Sequence, residues 1–243
     1  MKVGEIVGEA LDYPGTNLKK VVTLGALILI SILIIPIFLV AGYWLRVLKA
    51  TIAGFDELPD FDEWGEMFID GLKVFVVGIV YMIIPLILYF GGIYLAGSNP
   101  IAGIIVLIIG VILAIILGLI EQIAIAHMAF NDRLGAAFQI GEILNVISEI
   151  TWIKYIIWII GVAIIEVGAI NVTVAILYLI FMPFILAFGA LSLPQLLSGA
   201  GLGAGLAAII IIGIIIALII YLFVVPYLAI FHSRALGRLY ADR

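Results

Sequence analysis

The sequence predicts an all-α membrane protein with six transmembrane helices, and three observations lead to this fold class. Two long stretches carry no charged residue, Val74 to Ile120 and Val167 to Phe231. Hydrophobic residues make up 66% of the 243 residues, and charged residues only 11%. The mean hydropathy is +1.41, whereas a soluble domain is roughly 45–50% apolar and about 25% charged. Residues 1–243 are therefore predicted to form a single helical transmembrane domain.

The lengths of the apolar segments give the number of crossings, because about 20 apolar residues cover the roughly 30 Å hydrocarbon core. Val21 to Leu45 supplies the first predicted span, and it is too long for the short apolar region of a cleaved signal peptide. Val74 to Ile120 supplies two spans. A turn at Gly97–Pro100 separates them, because Gly and Pro end helices and Ser and Asn suit tight reversals.

The second half of the chain supplies three more predicted spans. Val167 to Phe231 holds two, separated near the glycine-rich segment Ser198–Gly205. Trp152 to Ala169 is the remaining span, and it is the weakest because Lys154 and Glu166 flank a short uncharged centre. Without this span the number of crossings is five.

Two further segments are predicted to form amphipathic helices at the membrane interface. Residues 134–150 place isoleucines and Leu144 on one helical face and polar, mainly acidic, side chains opposite. This helix lies either in the membrane surface or against the end of the bundle. Residues 60–71 place Phe61, Trp64 and Phe68 on one face, which is typical of the aromatic belt at a membrane interface.

Six crossings put both termini on one side of the membrane. That side carries six basic residues, and the opposite side carries five. Because the positive-inside rule counts Lys and Arg, this distribution favours cytoplasmic termini only slightly. The residues on the side of the termini are Lys2, Lys19, Lys20, Arg234, Arg238 and Arg243. The residues on the opposite side are Arg46, Lys49, Lys73, Arg133 and Lys154.

Composition excludes several classes of function. The chain has no cysteine, so disulfides, thiolate metal sites and cysteine nucleophiles are excluded. The net charge is −5 and no basic face is visible, which argues against a nucleic-acid partner. No catalytic motif, cofactor fingerprint or metal-ligand spacing occurs, and the expected surroundings are the lipid bilayer of the cell membrane.

The most distinctive motif follows the first predicted span. Gly42-Tyr43 and Arg46 are followed by Leu58-Pro59, Phe61 and Trp64, and then by Phe68 and Gly71. This pattern resembles domain-of-unknown-function family 4013, a family of uncharacterised archaeal and bacterial multi-pass membrane proteins. The segments 133–142 and 234–240 are similar to that family too. The resemblance implies a helical membrane fold and no assigned reaction, and the isoleucine content is similar to that of thermophilic methanogens, which implies an archaeal source.

Four ionisable residues lie within reach of the membrane and form a candidate polar pathway. Glu121, His127 and Asp132 follow the third predicted span, and Glu166 lies near the end of the fourth. Intramembrane ionisable groups are costly and typically functional, and His127 is able to titrate near neutral pH. The alternative is that these residues form an ordinary wet helix face or extend to the headgroups.

These features favour a non-enzymatic integral membrane protein that either transports a small solute or ion, or serves as a membrane scaffold. The transport hypothesis expects a polar cavity between helices, flanked by helix kinks at prolines. The scaffold hypothesis expects an interaction surface at Phe61, Trp64 and Phe68 that binds membrane-protein partners or a second copy. The alternative is an intramembrane lipid-modifying enzyme, for which the histidines His127 and His232 offer little chemistry.

Overall fold

The structure is a computed structural model that describes the backbone of residues 1–197 and 202–243, with side chains except at 187–206 and 208. The described residues form nine α-helices and no strand. Six helical stretches are long and apolar enough to cross a membrane, which confirms the predicted number. The helices are α1 (Val3–Asp12), α2 (Leu18–Ile30), α3 (Ile35–Ile52), α4 (Trp64–Ala96), α5 (Pro100–Asn131), α6 (Ile140–Ile150), α7 (Trp152–Leu197), α8 (Leu202–Ile219) and α9 (Val225–Ala241).

α4 and α5 form a long antiparallel hairpin. The predicted turn between them is confirmed, because Gly97 follows α4 and the Asn99 side chain caps α5 by accepting from the backbone N–H of Ala102. Close approach of the two helices depends on glycine: a Cβ at Gly103 would lie 2.4 Å from the backbone of Ala96. Most large apolar side chains of this hairpin point outward, as expected for helices that face lipid.

The first predicted span, Val21 to Leu45, is divided into two helices. Ile34 has a φ of 67°, a left-handed backbone angle that is unusual for a β-branched residue, and it reverses the chain between α2 and α3. Leu27 of α2 and Val40 of α3 pack in one buried cluster, so the two helices lie antiparallel. The prediction of a single span was wrong here, because a proline such as Pro36 is well tolerated inside spanning helices and does not by itself signal a reversal of the chain.

The fourth and fifth predicted spans are joined in one helix. α7 continues without interruption for 46 residues, from Trp152 to Leu197. The number six therefore stands although the bounds differ, because one predicted span divides and two predicted spans merge. The predicted turn at Ser198–Gly205 falls partly on residues 198–201, which lie outside the described residues, and α8 begins at Leu202.

The two predicted amphipathic segments differ in outcome. Residues 134–150 form a short 3-10 turn, Leu134–Phe138, followed by α6. Ile143 and Ile147 of α6 are fully buried against the core, so this helix packs on the end of the bundle. Residues 60–71 do not form a separate helix, because α4 begins at Trp64 and runs on into its apolar part.

The charged residues gather at one end of the molecule, which we call the charged end. Asp56 in the loop after α3 pairs with Arg234 and Arg238 of α9, and Glu9 of α1 pairs with the same arginines. Lys154 at the start of α7 pairs with Asp242 at the chain's end. The prediction that the two sets of basic residues lie on opposite sides was therefore wrong, because α2 and α3 leave from and return to the same end.

The main buried core lies between the charged end and the hairpins. It joins residues of α1, α3, α4, α5, α6, α7 and α9, among them fully buried Ile6, Ile123, Trp158 and Phe231. Beyond this core α4 packs chiefly on α5, and α7 on α8, in the part of the chain that the structure describes. Two apolar hairpins thus extend from one charged, well-packed base.

Candidate functional site

Two of the predicted pathway residues, Glu121 and Glu166, line neighbouring cavities between the membrane helices. Three cavities share His232 of α9 as a lining residue, and we call them the His232 cavities. Their volumes are about 380, 100 and 290 Å³. Glu166 lines the first two and Glu121 lines the third, so His232 shares a cavity with each of the two carboxylates.

Glu121 lies on its helix at the end of a long uncharged segment. Glu121 of α5 follows the charge-free run from Val74, and its Oε1 would lie 3.5 Å from a Cβ added to Gly78 of α4. From Glu121 to the turn at Asn99, α5 measures about 33 Å at 1.5 Å per residue. This length matches the hydrocarbon thickness of about 30 Å, which puts the carboxylate at the interface near the charged end.

His232 is held by α7 from two sides. Its Nδ1 lies 2.8 Å from Glu166 Oε1, and its ring meets the ring of Trp158 edge-on at a centroid distance of 5.9 Å. α9 begins with Pro226 in its first turn, directly after a short π-helical segment, Ile220–Val224. π-Helical turns inside helices frequently mark functional sites, because they shift the register of the following side chains.

Two polar atoms of the smallest cavity have no hydrogen-bond partner among the described residues. They are Gln122 Oε1, an acceptor, and Trp158 Nε1, a donor, and the Trp158 side chain is fully buried. Buried polar groups without partners are uncommon in folded proteins and point to an unseen ligand or water. A cavity of about 100 Å³ has room for water between them.

His127, the third predicted pathway residue, lies in a separate cluster. Its Nδ1 is 2.8 Å from the Tyr240 hydroxyl, and its Nε2 is 3.0 Å from Glu142 Oε2. Asn131, one turn along α5, donates to the His127 carbonyl. The imidazole therefore joins α5, α6 and α9 and does not line a His232 cavity.

Asp132, the fourth predicted pathway residue, lies at the charged end. Its Oδ1 is 2.6 Å from Lys49 Nζ, and Lys49 also pairs with Asp70, which in turn pairs with Lys73. Asp132 is largely exposed and Asp70 is buried. This chain of ion pairs ties α3, α4 and the end of α5 together.

The predicted interaction surface is mostly occupied by contacts within the molecule. Phe61 stacks on Tyr43 with a centroid distance of 4.1 Å, and Phe68 meets Phe38 edge-on at 5.4 Å. Trp64 is the most open of the three predicted aromatics, with 46% of its surface exposed. The surface available to a partner therefore centres on Trp64.

The loop after α3 is held by a group of ion pairs with α1 and α9. Arg234, only 2% exposed, donates to Asp56 Oδ1, to Glu9 Oε1 and to the Phe55 carbonyl, and its guanidinium covers the Tyr13 ring at 4.2 Å. The hydrogen bond and charge of Arg234 lower the pKa of Asp56 below its ordinary value. These contacts fix the loop on α1 and α9.

Sequence reasoning did not assign His232 to the pathway. His232 follows the second charge-free run directly, as Glu121 follows the first, and this shared position is the signal that could have found it. The 66 residues that separate it from Glu166 hide the contact, which depends on the antiparallel pairing of α7 with α9. In the described ranges, 1–197 and 202–243, no three His, Cys, Asp or Glu side chains converge as a metal-binding group.

Comparison with known proteins identifies relatives without an assigned activity. A family model for proteins of unknown function, DUF4013, matches residues 26–177. MJ1189, an uncharacterised protein of Methanocaldococcus jannaschii, is 28% identical over 213 residues, which cover 85% of this chain and 69% of that protein. No solved structure matches the chain.

Proposed function

The chain belongs to the DUF4013 family of proteins of unknown function, and we propose that it is a non-enzymatic membrane transport protein with its solute site in the His232 cavities. The supporting observation is that Glu121 and Glu166 line these cavities, while the lining contains no Lys or Arg among the described residues. Two carboxylates and one imidazole, in a lining whose described side chains include no Lys or Arg, favour a cation. The proposed solute is therefore a small cation.

The size of the cavities supports the same proposal. Volumes of about 290 and 380 Å³ lie on either side of the lower bound of small-molecule sites, whose range is roughly 300–1,000 Å³. Pro226 lies in the first turn of α9, directly after the π-helical segment, and the transport hypothesis expects prolines that kink the helices beside the cavity. The scaffold alternative has less support, because Phe61 and Phe68 already pack on Tyr43 and Phe38.

We also propose that the charged end faces the cytoplasm. All 11 Lys and Arg residues lie outside the charge-free runs, and the ion pairs gather their segments at this end. A distribution of all basic residues on one side strongly favours a cytoplasmic location under the positive-inside rule. The archaeal relative supports a location in an archaeal cell membrane.

A flux experiment tests the transport proposal. The protein is reconstituted in sealed liposomes, and uptake of sodium, potassium and methylammonium is compared with uptake by protein-free liposomes. We expect uptake of at least one cation, and a drop of at least tenfold in Glu121→Gln and Glu166→Gln, because each variant removes one negative charge from the cavities. Glu66→Gln is the matched control, since it removes the same charge from an exposed position of α4.

Two results would contradict the proposal. One is the absence of uptake above the protein-free background for every cation. The other is wild-type uptake in both cavity variants. Circular dichroism and size-exclusion chromatography of each variant separate a loss of transport from a loss of folding.

A further inference from the structure

The largest of the His232 cavities is lined by polar residues at one end, which we call the polar wall, and by apolar residues at the other, which we call the apolar wall. Glu166, His232 and Ser233 form the polar wall, and Ile170, Val225 and Leu228 lie among its apolar lining. α7 runs away from the charged end and α9 runs toward it. Ile170 and Val225 are therefore on the membrane side, and the polar residues are on the side of the charged end.

The apolar wall continues into the space beside α7. Ile170 is 39% exposed, and large aliphatic residues further along α7 are exposed as well. α4–α5 and α7–α8 each pack within their own pair beyond the core, in the part of the chain that the structure describes. A hydrocarbon chain that leaves the cavity past Ile170 would thus remain against apolar side chains.

The polar wall provides acceptors and negative charge for a cationic head. Glu166 retains a second carboxylate oxygen beside its contact with His232. In the adjoining smallest cavity, which Glu166 and His232 also line, Gln122 Oε1 is an acceptor without a partner among the described residues. Glu121 adds a second carboxylate in the adjoining cavity. An ammonium group supplies the N–H donors that these oxygens need, and water in the small cavity can accept from buried Trp158 Nε1.

We propose that the solute is a cationic amphiphile, an ammonium group with an alkyl chain, whose head contacts Glu166 beside His232 and whose chain passes Ile170. This inference rests on the proposed function and narrows its substrate class. The order of residues along α7 supports it, because the carboxylate and the apolar exit lie one helical turn apart. A compact inorganic cation would use the polar wall and leave the apolar wall empty.

Binding of a homologous series of amines tests the inference. The full chain is placed in lipid nanodiscs, and methyl-, butyl- and octylammonium are titrated while tryptophan fluorescence is recorded, since Trp44 and Trp158 line the cavities. Partition into protein-free nanodiscs is subtracted, and Kd refers to the free aqueous amine. We expect affinity to rise by up to about fourfold for each methylene that becomes buried.

Matched variants separate the head from the chain. Ile170→Ser is expected to weaken octylammonium binding about tenfold and to leave methylammonium unchanged, whereas Glu166→Gln is expected to weaken both amines. Ile153→Ser is the control, because Ile153 lies on the same helix and is exposed away from the cavity. Val225→Ser replaces Ile170→Ser if the Ile170→Ser variant does not fold. Octanoate and octanol are the control ligands, because they have an alkyl chain of the same length and no positive charge.

The outcomes distinguish the two proposals. Equal affinity for methyl- and octylammonium overturns the amphiphile inference and leaves the cation site intact. Octanoate or octanol binding as tightly as octylammonium, with no effect of Glu166→Gln, overturns the cationic head. The absence of binding by every amine overturns the amphiphile inference, and the sodium and potassium fluxes then decide the transport proposal separately. Unchanged octylammonium affinity in a folded Ile170→Ser or Val225→Ser variant overturns the chain path.

Discussion

At the scale of single residues, the distinctive motif is explained by packing between α3, the following loop and α4. The Tyr43 hydroxyl donates to the Pro59 carbonyl, and Arg46 donates to the backbone and side chain of Asp62. Gly42 and Gly71 lie where the two helices touch: an added Cβ would be 1.8 Å from the Met67 carbonyl oxygen and from the Phe38 carbonyl oxygen, respectively. The residues of the motif therefore hold α3, the following loop and α4 together.

Gly71→Ala is expected to destabilise the protein. The new methyl group has no room against the Phe38 backbone, and overpacking of this kind costs typically about 1–3 kcal/mol. Thermal unfolding in detergent measures the change. Gly91→Ala in the same helix is the control, because no atom lies within 4 Å of its added Cβ and alanine is the better helix former; an equal melting temperature for both variants would contradict the packing argument.

A second residue-scale prediction concerns acid stability at the charged end. The Asp56 pKa is lowered in the folded protein by Arg234, so this carboxylate stabilises the fold above the ordinary aspartate pKa of about 3.9. The contribution is lost as the pH falls through the lowered folded value. We expect the decrease in stability from pH 5 to pH 3 to be smaller in Asp56→Asn, and an identical pH profile would refute the assignment.

At the scale of helices, α2 and α3 belong to two of the six stretches that are long and apolar enough to cross. The part of this hairpin beyond its ion-paired basic residues is nevertheless shorter than the hydrocarbon core. Arg46 and Lys20, which pair with Asp62 and Asp60, lie about 20 Å from Ile34 along their helices at 1.5 Å per residue. The hydrocarbon core is about 30 Å thick. The tip is aliphatic and exposed, with Ile32 at 88%. We therefore expect the hairpin to enter the acyl layer and return without crossing it.

Cysteine labelling measures the depth of this hairpin. The natural chain has no cysteine, so each introduced cysteine is unique. We expect Ile32→Cys to resist a membrane-impermeant maleimide from both sides of the membrane, because its thiol is in lipid. Ser98→Cys at the turn after α4 is the matched position and should react from one side. Rapid labelling of Ile32→Cys from the side that labels Ser98→Cys would mean that the hairpin crosses.

The sequence could predict the presence and number of long helices but not every helix boundary. The length of the uncharged segment was enough to predict the α4–α5 hairpin and its turn. Helices that face lipid are apolar along their whole length, so they can be recognised without knowing what they pack against. It could not identify the reversal at Ile34, where the positive φ depends on tertiary packing of α2 against α3. It also placed a boundary inside α7, because Glu166 resembled the end of a span when its partner His232 was unknown.

At the scale of the whole molecule, polarity is divided between one charged end and two apolar hairpins. The candidate site lies at the border between these parts. Glu121 and Glu166 could be proposed from sequence because they are charges beside apolar runs. The sequence could not predict that Glu121 and Glu166 lie apart from His127 and Asp132. The four residues were predicted to form one pathway, and only the packing of the helices separates them.

Orientation is the prediction that belongs to this scale. We expect Glu57→Cys at the charged end to react only when an impermeant maleimide reaches the cytoplasmic face, and Ser98→Cys to react only from outside. Both positions are exposed, so differences in labelling report the side of the membrane. Intact cells present the outer face of the membrane to the maleimide, and inverted vesicles present the cytoplasmic face. The reverse labelling pattern would contradict the cytoplasmic assignment.

The one-sided charge distribution also has a consequence for biogenesis. Between the start of α4 and Asn131, the segment that must pass the bilayer is a turn of uncharged residues, Gly97–Asn99. The run from Val167 to Phe231 likewise contains no ionised side chain to be translocated. With the charged end on the cytoplasmic side, as proposed, each hairpin can enter the membrane as a pair of helices with little resistance from hydration, and the rest of the nascent polypeptide does not have to cross.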